Sequence, residues 1–261
     1  MSCLKASLST NAIQKSFSQA AGHYDEHSGF HQRFARQMIE ESSAFHSQTK
    51  SILDIGCGTG YLSALAKENF AGAQVAGLDF SSGMIVQAQA KHQGIDFVLA
   101  DARQMPFSDA SFDLIFSNFA FQWLPDLAEG FREARRVLTD NGGMYVNLFG
   151  VKTCEELFHS LEQTGFQGDD LNRFAAGSEI IEQLGQAGFG NSQVQPEIIK
   201  LPFKDLWQLL SWLKALGANK LSPTTFFGPK MLQQANAYCQ NNFSDGENIL
   251  ISFDVIKIQA T

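Results

Sequence analysis

The sequence predicts an α/β fold, with a doubly wound and mostly parallel sheet that has helices on both faces. Two observations predict it. Apolar strand patterns alternate with helical patterns from residue 51 to residue 149, as in a parallel sheet with crossover helices. A glycine loop, Asp54-Ile-Gly-Cys-Gly-Thr-Gly60, lies directly between the first strand and its helix. A glycine loop placed between a strand and a helix is typical of a ligand site.

Composition limits the possible functions. The chain has 261 residues, of which 44% are hydrophobic and 18% charged, enough for one large globular domain. A formal net charge of −8 argues against a general nucleic-acid binder, which shows a basic surface. The four cysteines lie far apart without any CxxC pair, and the sequence shows neither a signal peptide nor a run of 18 apolar residues. We therefore expect a cytoplasmic protein that does not enter a membrane.

The N-terminal part has helical patterns that precede the first strand. One helix is predicted over residues 11 to 27 and a second over 30 to 45, with Phe30, Phe34 and Met38 as its buried stripe. We interpret residues 1 to 47 as a helical lid segment and 48 to 261 as the main domain. His23, His27 and His31 fall at helical spacing, but no carboxylate joins them as in HExxH, so no metal site is expected.

Five strands and their helices follow in order. The strand before the glycine loop is rich in β-branched residues, and a helical pattern begins at Tyr61. Further strands are predicted at 74–79, 95–100, 112–118 and 144–149. The helix before the last of these is predicted to stop at Asp140-Asn-Gly-Gly143. The run at 112–118 is almost continuously apolar, which is typical of a central parallel strand.

The second half is more helical and adds two strands. Helices are predicted at 155–165, 178–188, 203–217 and 229–241, and strands at 192–201 and 248–258. This gives seven strands in all. No linker separates the halves, so we expect one domain with a helical insertion at about 151–190 and further helices at about 203–241.

The glycine loop excludes two phosphate-binding motifs. The dinucleotide fingerprint needs a third glycine where Tyr61 stands, and the P-loop needs a lysine that is absent. The remaining D-x-G-x-G-x-G pattern resembles motif I of the class I S-adenosylmethionine (SAM) methyltransferases, which have a Rossmann-like fold. Gly56, Gly58 and Gly60 would let bare backbone approach the methionine and ribose parts of SAM. The alternative is an ordinary strand–helix turn with spare glycines.

Three acids fall at predicted strand ends, namely Asp54, Asp79 and Asp101. Ligands of open α/β sheets bind at the carboxyl ends of the strands, and Asp79 lies about twenty residues beyond the glycines, where ribose hydroxyls are bound. The alternative for Asp79 is a helix N-cap. The resemblance implies that Asp101 contacts the adenine amino group. The full predicted cofactor set is Asp54, Gly56, Cys57, Gly58, Gly60, Asp79, Phe80, Met84, Asp101, Ala102 and Asn118.

A narrower resemblance rests on three segments. They are Phe17-Ser-Gln-Ala-Ala-Gly-His-Tyr-Asp-Glu-His27, Ser117-Asn-Phe-Ala-Phe-Gln-Trp123 and Leu213-Lys-Ala-Leu-Gly-Ala-Asn219. Together they resemble the malonyl-[acyl-carrier-protein] O-methyltransferases of biotin biosynthesis, from about Phe17 to the C-terminus. One departure is His31, where the family pattern leads us to expect glutamine. The resemblance implies that SAM methylates the free carboxylate of a malonyl thioester, on acyl carrier protein or on CoA, and leaves S-adenosylhomocysteine.

The residue content suits that chemistry. A carboxylate is ionised at pH 7 and needs no general base to attack a methyl group. Its partner should be an arginine fork, for which Arg173 is the first candidate and Lys214 the second, although either could be a solvated surface residue. Tyr24 could close over the methionine end of SAM or be an ordinary core tyrosine.

Two rival functions stay open at this point. One is methylation of another small carboxylic acid or a quinone precursor, and the other is a SAM-binding regulator without catalysis. In each case we expect a monomer that uses no metal and binds no nucleic acid.

Overall fold

The structure is a computed structural model, and it describes residues 10–44, 48–166, 174–218 and 228–261. The N-terminal helices are α1 (Thr10–Ala20), α2 (Tyr24–His27) and α3 (Gly29–Ser43). The first five strands and their helices are β1 (Ser51–Ile55), α4 (Tyr61–Asn69), β2 (Gln74–Asp79), α5 (Ser82–Lys91), β3 (Asp96–Leu99), β4 (Phe112–Asn118), α6 (Leu127–Val137) and β5 (Leu138–Phe149). The remaining elements are α7 (Glu155–Glu162), α8 (Gly177–Gln186), β6 (Ser192–Phe203), α9 (Leu206–Ala215), α10 (Pro229–Asn242) and β7 (Ile249–Ala260).

The strands form one seven-stranded sheet in the order β3-β2-β1-β4-β5-β7-β6. Neighbouring strands among β1 to β5 pair in parallel, whereas β7 is antiparallel to both β5 and β6. The prediction of a seven-stranded, mostly parallel α/β sheet is confirmed. The strand order reverses between β1 and β4, and this is where open α/β sheets bind their ligands.

Burial explains why β1 and β4 lie in the centre. Their apolar side chains are covered on both faces, and Ile52, Leu53 and Leu114 are fully buried. On one face of the sheet, α6 and α8 supply Phe131 and Ile180 to the core. The opposite face is covered by α3 and α4. A third cluster joins α7, α9 and α10 to β7, so the helices of the second half have a core of their own.

Several element ends differ from the predicted ones by two or three residues, and two regions differ in kind. The single helix predicted over 11–27 is divided by a turn after Ala20, where the His23 N–H donates to the Ala20 carbonyl at 3.0 Å. The predicted stop after α6 lies inside β5, because Leu138 already pairs with Phe112 and the pairing then shifts to Gly143 with Leu114. The Asp140-Asn-Gly-Gly143 segment is therefore an irregularity within a strand, not a loop before it.

The helix α1 packs closely on α5. The hydroxyls of Ser18 and Ser81 are 2.8 Å apart, and the Gln14 side chain donates to the Phe80 carbonyl at 2.6 Å. A Cβ at Gly83 would lie 2.7 Å from the Ser18 Cα, so the two helices can approach this closely only because residue 83 is glycine. Within the described ranges, no helix combines the length and the apolar character needed to cross a membrane.

Candidate active site

A cleft of about 770 Å³, part of it open to solvent, lies at the carboxyl ends of β1, β2 and β4. Nine of the residues predicted from sequence line it: Tyr24, Gly56, Gly58, Asp79, Phe80, Met84, Asp101, Ala102 and Asn118. The sheet topology therefore brings together residues that are far apart in the sequence, from Tyr24 to Asn118. Asp54, Cys57, Gly60 and Lys214 do not line the cleft.

The three loop glycines all have positive φ, and a side chain at Gly56 or Gly60 would meet other protein atoms whereas one at Gly58 would not. A Cβ at Gly56 would lie 2.1 Å from the Cβ of Ala120, and one at Gly60 would lie 2.7 Å from the His92 ring. Gly58, with φ of +55°, has no atom within 4 Å of its would-be Cβ. Its backbone therefore borders open space in the cleft, which a side chain would fill. This is the cradle that a closely approaching ligand needs.

Asp79 is held at the end of β2 by two backbone donors. Its carboxylate accepts from the Gly58 N–H at 2.9 Å and from the Ser81 N–H at 2.8 Å. Burial raises the pKa of this carboxyl to about 6, although the backbone hydrogen bonds oppose the rise. The N-cap of α5 is Ser81, whose hydroxyl accepts from the Met84 N–H. The N-cap alternative for Asp79 therefore does not apply.

Asp54 lies behind the loop. Its side chain is 1% exposed and accepts a hydrogen bond from the Ser63 hydroxyl at 2.6 Å, which ties β1 to α4. Burial raises the pKa of the Asp54 carboxyl to about 7, with a further contribution from the Asp79 charge. Burial also raises the pKa of the Cys57 thiol. Neither Asp54 nor Cys57 lines the cleft, so a direct contact of either residue with the cofactor stays a prediction.

Asp101 is paired with an arginine that the sequence reasoning missed. Arg103 donates from Nε to Asp101 Oδ1 at 3.0 Å and from an Nη to Oδ2 at 2.6 Å, in a bidentate fork. Hydrogen bonds from the Arg103 side chain lower the pKa of Asp101, so this carboxyl stays ionised at neutral pH. Arg103 also lines the cleft. The i, i+2 spacing of an acid and an arginine was the only sequence signal.

The N-terminal helices form one side of the cleft. Phe17 places its ring edge-on to the Trp123 ring, with centroids 5.3 Å apart, and both residues line the cleft. Asp25 accepts from the Thr59 hydroxyl at 2.5 Å and pairs with the Lys91 ammonium at 2.6 Å. The sequence reasoning did not identify Phe17 or Trp123 as cleft residues, or Asp25 as a partner of Thr59 in the glycine loop, although all three lie in the segments that carried the family resemblance. Treating residues 1 to 47 as a lid stays a proposal.

Tyr24 lines the same cleft as Asp79 and is affected by its charge. Burial raises the pKa of the Tyr24 hydroxyl, and the nearby Asp79 charge raises it further. Tyr24 therefore keeps its proton and can donate a hydrogen bond to a ligand.

The residue that follows β4 belongs to a cluster of aromatic side chains beside the cleft. Phe119 follows Asn118 with φ of +56°, a conformation that is costly for a bulky residue. The Asn118 side chain donates to the His31 carbonyl and accepts from Asn147, both at 2.9 Å. The Phe119 ring stacks on Phe149, with centroids 4.5 Å apart. We call Phe30, Phe119, Phe149, Phe174 and Phe253 the aromatic cluster.

His31 lies beside this cluster. Its ring centroid is 5.0 Å from that of Phe119, and its Nδ1 is buried without a hydrogen-bond partner. Burial lowers the pKa of this imidazole to about 4, so the ring is neutral at pH 7. Among the described residues, no group of three or more His, Cys, Asp or Glu side chains could hold a metal ion.

Of the three residues predicted to bind the substrate carboxylate, one lines the cleft. Tyr24 lines the cleft. Lys214 is exposed on α9 and does not line it. Arg173 lies outside the described residues, so its role stays a prediction.

Comparisons with known proteins give the family. Residues 53–146 match the family model described as "Methyltransferase domain". A malonyl-[acyl-carrier protein] O-methyltransferase of Methylovorus sp. (strain MP688) is 30% identical over 247 residues, which cover 90% of this chain and 83% of that protein. The chain belongs to the malonyl-[acyl-carrier protein] O-methyltransferase family. It is a methyltransferase that uses SAM as its methyl donor, as the loop pattern predicted.

Two further similarities agree with this family and fold. The biotin biosynthesis bifunctional protein BioHC of Cellvibrio japonicus is 31% identical over 236 residues, which cover 90% of this chain and 46% of that longer protein. The solved structure of YcgJ from Bacillus subtilis has a TM-score of 0.61 and 20% identity, and the match covers 86% of this chain and 97% of that one. The likeness to YcgJ shows that the fold is shared.

The Asp79 carboxylate gives a test of cofactor binding that depends on pH. Because its pKa is about 6, the carboxyl is ionised above that pH and protonated below it. Asp79 is predicted to bind the ribose hydroxyls, which donate best to the ionised form, so the Kd of SAM should rise as pH falls from 8 to 5. In Asp79→Asn the Kd should be at least about tenfold higher at pH 8, the loss of one charge-assisted hydrogen bond.

Calorimetric titration of SAM at several pH values measures both effects. The Asn variant should show a much flatter pH dependence between pH 5 and 8 than the unchanged protein. Asp54, with a pKa of about 7, titrates in the same range, so Asp54→Asn is the matched control. If the pH dependence disappears in Asp54→Asn and persists in Asp79→Asn, Asp79 is not the ribose ligand.

Proposed function

We propose that this protein transfers the methyl group of SAM to the free carboxylate of a malonyl thioester carried on acyl carrier protein, a step of biotin biosynthesis. The observation that carries the proposal is the cleft, where the bare Gly58 backbone and the Asp79 carboxylate lie next to apolar walls. This arrangement fits a nucleoside with a charged amino-acid end. The named relatives support the choice of acceptor.

The residues of the chain would bind SAM in two parts. Gly58 and Asp79 would hold the methionine and ribose side, while Phe80, Met84 and Ala102 would contact the adenine. When bound, SAM supplies an electrophilic methyl group on a positively charged sulfur. The ionised forms of Asp79 and Asp54 are suited to a site for such a cation, because a nearby positive charge lowers the pKa of both carboxyls.

The acceptor requires orientation more than acid–base catalysis. A malonyl carboxylate is already ionised at neutral pH, so none of the cleft residues has to remove a proton. Tyr24 stays protonated and can donate to a carboxylate oxygen. Correct alignment of two reacting groups can supply effective molarities of about 10⁵–10⁸ M. The protein would therefore act by holding the carboxylate and the methyl group in line.

The aromatic cluster would keep water away from this reaction. Phe119 lines the cleft, and Phe30 and Phe149 pack behind it with ring centroids 5.6 and 4.5 Å from that of Phe119. A dry wall strengthens the electrostatic interactions of the bound acceptor. Methylation then removes the negative charge, which lowers the cost of burying the product in an apolar site.

We propose a monomer that works in the cytoplasm.

A methyl-transfer assay with labelled SAM tests the function. The acceptors are malonyl-acyl carrier protein, malonyl-CoA, free malonate and a quinone precursor, each at the same concentration. We expect methylation of the malonyl thioesters and release of the label by mild base, because the product is a methyl ester. Methylation of free malonate or the quinone precursor alone would assign a different acceptor. SAM binding without turnover of any acceptor would favour a regulator.

A further inference from the structure

We propose that the outward face of α9 is the docking surface for the acidic carrier protein that presents the malonyl thioester. The docking surface consists of Lys204, Trp207, Ser211 and Lys214. The proposal rests on the proposed function, because it names the partner of the same site. In this proposal the exposed Lys214 binds the carrier protein and is not a ligand of the malonyl carboxylate.

The two faces of α9 differ sharply. The inward face carries Leu206, Leu209 and Leu213, which are buried against β7 and α10. The outward face carries Trp207, Ser211 and Lys214, at spacings of four and three residues that place them on one side of a helix. Lys204 precedes the Asp205 N-cap at the start of the same surface. From Lys204 to Lys214 the surface is about 15 Å long.

Charge and exposure suit an acidic partner. Lys204 and Lys214 are exposed, and neither makes an ion pair within the part of the chain that the structure describes. Two unpaired lysines are a local basic feature in a chain with a net charge of −8. The Asp205 carboxylate, next to Lys204 in the sequence, is engaged as the N-cap of α9 and accepts from the Gln208 N–H at 2.8 Å. A negatively charged partner would meet the lysines first.

Trp207 supplies the apolar centre of the docking surface. It is 42% exposed, which makes it one of the few large apolar side chains on the described surface. Tryptophan is enriched among the residues that dominate binding energy at protein interfaces. A single exposed Trp between two lysines is the composition expected for docking an acidic protein by both contact and charge.

The position of α9 connects the docking surface to the cleft. Trp212 donates from its indole nitrogen to the His27 carbonyl of α2 at 2.9 Å. After the end of α9, Gly217 comes so close to α1 that a Cβ there would lie 3.2 Å from the Phe17 Cα. Phe17 lines the cleft. A carrier protein on α9 would therefore sit beside the N-terminal helices that border the SAM site.

The test separates carrier recognition from chemistry. The double variant Lys204→Glu/Trp207→Ala should raise the KM for malonyl-acyl carrier protein at least about tenfold, or 1.4 kcal/mol. The KM for malonyl-pantetheine, which lacks the protein, and the Kd of SAM should not change. Lys67→Glu on α4 makes the same charge change on a distant helix and serves as the matched control. The difference between variant and unchanged protein should shrink at high salt.

Two outcomes would overturn the docking surface. One is an unchanged KM for the carrier-bound substrate, and the other is an equal rise for carrier-bound and carrier-free substrates. If no malonyl thioester is methylated at all, the proposed function fails instead. The docking surface is then tested by direct binding of fluorescent malonyl-acyl carrier protein, where an equal Kd for the double variant and the unchanged protein rejects it.

Discussion

Valine at position 58 should abolish SAM binding while the protein remains folded. Gly58 is at φ of +55° and borders open space in the cleft, so a valine side chain would occupy the volume that the cofactor needs. The backbone strain of a non-glycine residue there costs roughly 1–2 kcal/mol in addition. We expect the Kd of SAM to rise at least about a hundredfold, roughly 2.7 kcal/mol. Isothermal titration calorimetry measures this directly.

The control for Gly58→Val has to carry the same backbone strain without touching the cleft. Gly72, between α4 and β2, has φ of +83° and also has no atom within 4 Å of its would-be Cβ. Gly72→Val should lower the melting temperature by a similar amount and leave SAM affinity unchanged. A Gly58→Val protein that binds SAM as tightly as Gly72→Val would show that the cofactor does not contact this loop.

The local parts of the fold could be predicted because their signals are local. The run Phe112–Asn118 was correctly predicted as a central strand, and it is buried at five of its seven positions because both faces of β4 are covered by helices. The start of β5 could not be predicted in the same way. Leu138 joins the sheet by pairing with Phe112, a contact set by the neighbouring strand. The glycines that follow look like a loop when the sequence is considered alone.

The site residues that were predicted also have local sequence signals, and the ones that were missed depend on tertiary contacts. Gly56, Gly58 and Asp79 were predicted to lie together because a strand end and a glycine loop fix them within one βα unit and its neighbour. Arg103 was missed, since its fork on Asp101 depends on side-chain geometry that a sequence pattern does not contain. Phe17 was missed for a different reason. It reaches the cleft only because α1 packs on α5 through the close contact at Gly83.

Asp54 lies at the strand end where the motif predicts an acid, but it does not line the cleft. The motif places an acid at the end of β1, and the structure has that acid there, 1% exposed and bonded to Ser63. Its raised pKa and that of Asp79 follow from burying two neighbouring carboxyls. A bound cation would stabilise both in their ionised forms. Asp54 can therefore contribute to SAM affinity through its charge, without lining the cleft.

Arg173→Ala should lower kcat/KM for the malonyl thioester at least about a hundredfold, roughly 2.7 kcal/mol, and leave SAM affinity intact. Arg173 itself lies outside the described residues, but it is bonded to Phe174, whose ring centroid is 5.8 Å from that of Phe149 in the aromatic cluster. Arginine offers a planar fork for a carboxylate, so Arg173→Lys should rescue little activity.

The control for Arg173→Ala is Lys152→Ala, which removes the other cation of the predicted helical insertion and is exposed in the structure. Steady-state kinetics with malonyl-acyl carrier protein and with malonyl-CoA distinguish two roles. If Arg173 orients the carboxylate, both substrates lose kcat/KM by the same factor, because both carry the same malonyl group. If only the KM for the carrier-bound substrate rises, Arg173 belongs to the partner surface and the assignment of the carboxylate ligand is wrong.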